Sequence, residues 1–147
     1  MTPILFVAVI MSWSTYLWAG DSYSCGSHPM LTTTKEDGSK VGLIISPDQI
    51  FKTPEWRPGA GEPPLTISKT VQLAQEWAKG EYKRYDGVQV RSISLGEYGC
   101  PEQKRHWYYT VYFSPVIEGN VLYGSSNFAA VLMNGDVVEP IKLAGGH

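Results

Sequence analysis

The sequence predicts an α+β domain: one amphipathic helix packed on a curved antiparallel sheet of about four strands. Three observations predict it. The segment Ile67 to Lys79 repeats its apolar residues at helical spacing, four later segments alternate with a period of two, and the helix precedes the strands. That order lets the strands pair as a meander and close over one face of the helix.

The elements follow in sequence order. Val41 to Ile45 (VGLII) reads as a short strand, and Ser46-Pro47-Asp48 as an N-cap with proline at the first helical position, opening a helical turn through Phe51. Thr53 to Pro64 (TPEWRPGAGEPP) holds four prolines and two glycines. Proline is excluded from helix interiors and central strands, so this is an extended, turning connector. Trp56, at its middle, is expected to pin the connector to the body rather than to meet a ligand.

In the helix, Thr66 serves as N-cap and Gly80 as the terminator. At 100° per residue Ile67, Val71, Ala74 and Ala78 cluster, and Leu73 and Trp77 widen the apolar arc to roughly 160°. Ser68, Lys69, Gln72, Gln75, Glu76 and Lys79 occupy the opposite side. Ala74 and Ala78 would let a sheet approach closely, and a charge at Val71 is expected to unfold the domain.

Asp86-Gly87 then turns the chain into Val88 to Leu95 (VQVRSISL). Val88 and Val90 share one parity and Ile93 and Leu95 the other, which predicts a β-bulge near Arg91 and Ser92. Trp107 to Phe113 (WYYTVYF) places Trp107, Tyr109, Val111 and Phe113 on one face and Tyr108, Thr110 and Tyr112 on the other. Phe128 to Met133 follows, Asn134-Gly135 gives a strong hairpin signal, and Val137 to Leu143 returns with Pro140 marking an edge strand.

Ahead of all this, the first twenty residues carry no charged side chain, and all 12 Lys and Arg and all 14 Asp and Glu lie from Asp21 onward. Ile4 to Ala19 is an apolar run of signal-peptide length, so residues 1–19 read as a cleaved secretory signal and the protein as exported, to the periplasm or beyond the cell. A retained anchor is the rival reading. Ser12, Ser14 and Thr15 weaken it, as does the lack of a following Lys/Arg cluster. Cleavage after Ser24 is an alternative to cleavage after Ala19. Residues 20–40, rich in Ser, Thr, Gly and charge, read as a loose tail with a turn at Asp37-Gly38, and 41–147 as a single domain. After signal cleavage no membrane span remains. An oxidising destination favours a bridge between Cys25 and Cys100, spanning 74 intervening residues and corresponding to ~4 kcal/mol of chain entropy.

The succession of ISKTVQLAQEWA, VRSISL, WYYTVYF and FAAVLMNGDVVEP resembles the PepSY-type pattern and, more loosely, is similar to the cystatin-like architecture over residues 65–140. The resemblance implies an exported domain with a binding or peptidase-modulating role rather than catalysis. The cystatin Gln-x-Val-x-Gly hairpin is absent; the corresponding loop reads Gly96-Glu97-Tyr98-Gly99-Cys100-Pro101-Glu102-Gln103.

The chemistry-bearing residues point the same way. A net charge of −2 with isolated basic pairs makes nucleic acid a poor partner. His28, His106 and His147 are scattered, with no metal-ligand spacing and no nucleophile elbow. His106 reads as the edge of a strand, and Cys100 as half of a disulfide rather than a nucleophile. No catalytic residue, metal ligand or cofactor is assigned. The candidate partner-binding residues are Tyr108 and Tyr112, on the second face of the aromatic strand, where exposed binding and edge packing weigh evenly, and Val116, Ile117, Leu122 and Tyr123, around Glu118-Gly119-Asn120. For the latter group, extension of the neighbouring strands into a longer hairpin is favoured over a recognition loop. The expected function is that of a small non-catalytic binding domain for a protein or peptide, modulating a peptidase or another envelope protein. A ligand carrier or enzyme with a cavity between helix and sheet, and a structural envelope protein, are the alternatives. The oligomeric state is not specified.

Overall fold

The computed structural model describes residues 26–100, 105–124 and 127–144. The expected signal segment, Cys25, Glu102 and His147 lie outside them. The elements run β1 (Leu31–Thr34), β2 (Lys40–Leu43), α1 (Pro47–Ile50), α2 (Ile67–Glu81), β3 (Gly87–Glu97), β4 (Trp107–Ile117), β5 (Asn120–Val121), β6 (Phe128–Leu132), β7 (Val137–Val138) and β8 (Ile141–Lys142). The fold is α+β with antiparallel pairing throughout, but it has two sheets. One contains β3-β4-β6-β7 with β5 paired to β4, and the other runs β1-β2-β8.

The larger sheet has five strands where about four are expected, with β3, β4, β6 and β7 in meander order. Its strand β3 carries the bulge where the parity switch placed it, between Val90 and Ser92. The extra residue keeps Val88, Val90 and Ile93 all packed on the core beneath α2. At the β6–β7 turn the Leu132 carbonyl accepts from the Gly135 N–H (2.8 Å), and Gly135 alone of the turn residues has a positive φ, 93°. Asn134-Gly135 therefore forms part of a three-residue loop with glycine in the left-handed position rather than a two-residue turn.

Helix α2 packs on one face of this sheet. Thr66 caps it, its hydroxyl accepting from the Lys69 N–H at 3.3 Å. Gly80 does not end it: the helix continues through Glu81 to a cap at Tyr82. The Tyr82 ring lies 6.1 Å from both Trp77 and Phe113, an aromatic cluster that holds the last turn on the sheet. Ala74 and Ala78 are fully buried, as expected, together with Thr70, whose hydroxyl returns to the Thr66 carbonyl at 2.9 Å. Ile67, assigned to the apolar face, is 60 % exposed, and Val71 is only half-buried. The first turn overhangs the sheet, so the helix makes its deepest contact one to two turns later.

The second face of β4 departs most from expectation. Residues 26–40 are not a loose tail: β1 pairs with β2, with Leu31 opposite Leu43 and Thr34 opposite Lys40, around the expected turn at Asp37-Gly38. Pro140 does not mark an edge of one continuous strand. It separates β7, in the large sheet, from β8, in the small one, because a residue without an N–H cannot continue a ladder. Strand β8 pairs with β2 through Val41–Lys142 and Gly42–Ile141. A Cβ on Gly42 would come within 2.9 Å of Pro29 and 3.0 Å of Leu143, so only glycine fits between the flanking segments.

This small sheet and α1 cover the Tyr108 face. Helix α1 has the expected cap, reinforced by a capping box in which Ser46 and Gln49 bond reciprocally. The result is two cores on either side of one sheet. Val41, Leu43, Ile45 and Ile50 meet Tyr108, Phe128, Ala130 and Leu132 in one. Ala74 and Ala78 meet Tyr109, Val111, Phe113, Ala129 and Val131 in the other.

Two consequences are measurable. Ala74→Asp places an unpaired carboxylate in a fully buried site and is expected to cost about 3 to 5 kcal/mol, against about 1 kcal/mol for Val71→Asp at the half-buried margin. Urea denaturation of the two variants checks the order. The second consequence concerns pH. The buried hydroxyls of Tyr98 and Tyr109 donate to the carbonyls of Ile45 and Leu65, each at 2.9 Å. Burial raises both pKa values above the ordinary 10.0, with Glu62 adding to the rise at Tyr109. A raised folded-state pKa means that stability is fully present below pH 10 and falls as pH rises past it. Denaturation midpoints should be level near neutrality and drop above pH 10. Tyr98→Phe should flatten part of that drop while costing about 1 to 3 kcal/mol at neutral pH for the orphaned Ile45 carbonyl.

Candidate functional site

Burial on both faces settles where the expected binding residues sit. Tyr108 is 8 % exposed, its ring in the core with Leu43 and Ile45 and across the ladder from Gly96, where an added Cβ would lie 3.3 Å from the ring. It offers no open surface, so of the two readings for this residue, partner binding and packing, the structure shows packing. Tyr112 is half-buried, with Phe128 at 6.1 Å and the Arg91 guanidinium 5.7 Å from its ring centroid. The bulge that sets the strand parity thus also lays a cation on this ring. Val116 is half-buried in the ladder opposite Val121.

The remaining three candidates come together at the far end of β4. Strands β4 and β5 form a tight hairpin, the longer-hairpin arrangement favoured for this stretch, with Ile117 paired to Asn120. Its turn residues Glu118 and Gly119 have φ values of 49° and 77°, the positive pair that a two-residue hairpin turn requires. Glutamate is poorly suited to that conformation, at a cost of roughly 1 to 2 kcal/mol. The turn is held from below: the Glu118 N–H donates to the Asp86 carboxylate, and the Asp86 N–H to the Val116 carbonyl at 2.9 Å. The Leu122 N–H donates to the Pro115 carbonyl at 2.8 Å. On this hairpin Ile117 and Leu122, which share a face by register, are each 40 % exposed, and Tyr123, beyond the end of β5, is 79 % exposed.

The opposite end of β4 carries a cleft of about 290 Å³ lined by Glu55, Trp56, Arg57, Ala60 and Arg105. The proline-rich connector forms one wall and the residues leading into β4 the other. They are joined twice: the Trp56 N–H donates to the Arg105 carbonyl at 2.8 Å, and the Arg105 guanidinium meets the Glu55 carboxylate at 3.2 Å. Trp56 does pin the connector, standing edge-on to Trp107 at 6.1 Å, but it lines the cleft as well. Sequence reasoning singles out Trp56 and not Arg57 or Arg105. Nothing local in the sequence brings Arg105 to the connector.

His106 lies at the edge of β4, just ahead of Trp107, and is buried there. The Thr53 hydroxyl lies 2.7 Å from the Ile50 carbonyl and 2.9 Å from the His106 Nδ1, hydrogen-bonded to both. The pair ties the end of α1 to the start of β4, a structural use of the residue. Cys100 is buried in the core with Tyr98 and Tyr108, and its expected partner Cys25 lies outside the described residues. The space between α2 and the sheet is taken up by Ala74, Ala78, Tyr109, Val111 and Phe113. Among the described residues, no three His, Cys, Asp or Glu side chains group as metal ligands. No helix there is long and apolar enough to cross a membrane.

Comparison with known protein families, curated proteins and solved structures finds no match.

Proposed function

We propose that this protein is a small exported, non-catalytic binding domain that engages a protein partner through the β4–β5 hairpin. The observation that carries the reading is the exposure of Ile117, Leu122 and Tyr123 on the hairpin and the chain leaving it, around a turn whose backbone is strained and anchored. Large apolar side chains held in water contribute little to folding, and strain at such a position points to use. A narrow hairpin flanked by exposed apolar side chains and a tyrosine fits an apolar groove, where each anchor can contribute more than about 1 kcal/mol. A peptidase or another envelope protein is the partner class in keeping with the PepSY-type and cystatin-like resemblance. In that reading α2 and the large sheet are the helix-on-curved-sheet unit, and the small sheet is an addition to it.

Export and the Cys25–Cys100 bridge belong to the same proposal. The secreted protein should begin near residue 20 or 25 and have an intact mass lower by two hydrogen atoms than its reduced form. An uncleaved, fully reduced protein would overturn both.

The hairpin is tested by immobilising the protein alongside the triple variant Ile117→Ser, Leu122→Ser, Tyr123→Ser and identifying what each retains from the envelope and secreted fractions. The variant alters exposed side chains and should keep its stability within ~1 kcal/mol, while losing ~100-fold or more in affinity for the partner. A partner retained equally by both proteins would count against this surface.

A further inference from the structure

We propose that the cleft between the connector and β4 is a binding site for a small carboxylate carrying an apolar or ring-shaped group. The charges favour an anion. Arg57 and Arg105 face one carboxylate, Glu55, so the cleft is net positive in a protein whose net charge is −2. Among the described residues Arg57 makes no ion pair. The Arg105–Glu55 pair uses one guanidinium nitrogen, and its side chains are 75 % and 59 % exposed. A pair so exposed adds little to stability. Arg105 lines the cleft, and among the described residues its other side-chain N–H groups make no ion pair. A guanidinium presents N–H donors in a planar fork that matches a carboxylate, which an ammonium cannot reproduce.

The apolar part of the ligand has its own surface in Trp56 and Ala60. The indole is fixed before any ligand arrives: its N–H donates to the Gly61 carbonyl at 3.3 Å and its ring abuts Trp107. The Arg57-to-Ala60 segment closes as a turn, the Ala60 N–H donating to the Arg57 carbonyl at 3.1 Å. Pro54, Pro58, Pro63 and Pro64 restrict the rest of the connector. A site held in its bound form loses little conformational freedom on binding. The volume sits at the small end of the range of about 300 to 1,000 Å³ typical of ligand sites, which suits one ring and one carboxylate rather than an extended ligand. A free aromatic acid and the last residue of a peptide both present that chemistry.

The test uses the full-length protein labelled with 15N-tryptophan, in which the Trp56 indole signal reports on the cleft and that of Trp77, on α2, serves as a control. Phenylacetate and the peptide Gly-Gly-Phe are titrated, each against its amide. At least one acid should move the Trp56 signal saturably, with its amide at least ~10-fold weaker. Tighter binding of the peptide assigns the site to peptide carboxyl termini, and tighter binding of phenylacetate to free acids. Arg57→Gln should weaken the acid ~10-fold, and Arg57→Lys should recover part of the loss, with the Trp77 signal unchanged in both. Equal binding of acid and amide, no saturable shift by either acid at about 10 mM, or full affinity in Arg57→Gln would overturn the proposal.

Discussion

Strand β4 is covered on both faces, and the rest of the molecule follows from that constraint. Its alternate residues feed separate cores, Tyr109, Val111 and Phe113 toward α2 and Tyr108 toward the small sheet. Strand β6 is buried along its whole length and continues both sets, with Phe128, Ala130 and Leu132 on one side and Ala129 and Val131 on the other. A slip of one residue between these strands would exchange the two sets and destroy both cores at once, so the register is specified from two directions. The second cover must come from somewhere. The protein draws it from residues 31–50 and from the two residues of β8 beyond Pro140, pieces far apart in sequence joined only by pairing across β2.

That assembly explains what is legible in the sequence. Periodicity is local, so α2, the strands of the meander and the bulge at Arg91 can be read directly from spacing. The small sheet cannot. Leu31 to Thr34 is mostly threonine and sits in a polar stretch that, taken alone, cannot hold a strand. It becomes one because β2 supplies a template already buried on the other side. The Tyr108, Thr110, Tyr112 parity resembles a solvent face for the same reason: hydroxyl-bearing residues are ambiguous between core and surface, and what decides is whether another layer arrives. Val41 to Ile45 reads as a strand, and its dense apolar run signals burial on more than one side, but nothing in it names β4 as the surface it covers.

The candidate sites divide similarly. The hairpin residues Ile117, Leu122 and Tyr123 are legible because apolar residues flanking Glu118-Gly119 are unusual in a turn. Whether they are core or surface depends on β5 being too short to reach cover. The cleft is only half legible. Trp56 stands out among prolines, but its neighbour Arg57 looks like an ordinary solvated residue, and Arg105 reaches the site through a backbone hydrogen bond between segments some fifty residues apart.

The two surfaces lie at opposite ends of β4, which at about 3.3 Å per residue separates them by roughly 30 Å. Apart from Trp56, which pins the connector against Trp107, neither contributes much to the fold. The Arg105–Glu55 pair is too exposed, the hairpin side chains face water, and the Glu118 conformation is a cost that the Asp86 hydrogen bond offsets. Core residues are explained by packing; groups held in place without that reward call for another explanation, and recognition is the one proposed for both. Their placement also bears on how they act together. One surface can influence another only if occupancy favours a different arrangement of the element between them. Here that element is a strand clamped by two cores in a register that cannot slip, so the fold transmits position rather than change. With both surfaces occupied as proposed, the domain would hold its two bound groups at a fixed separation, each recognised independently.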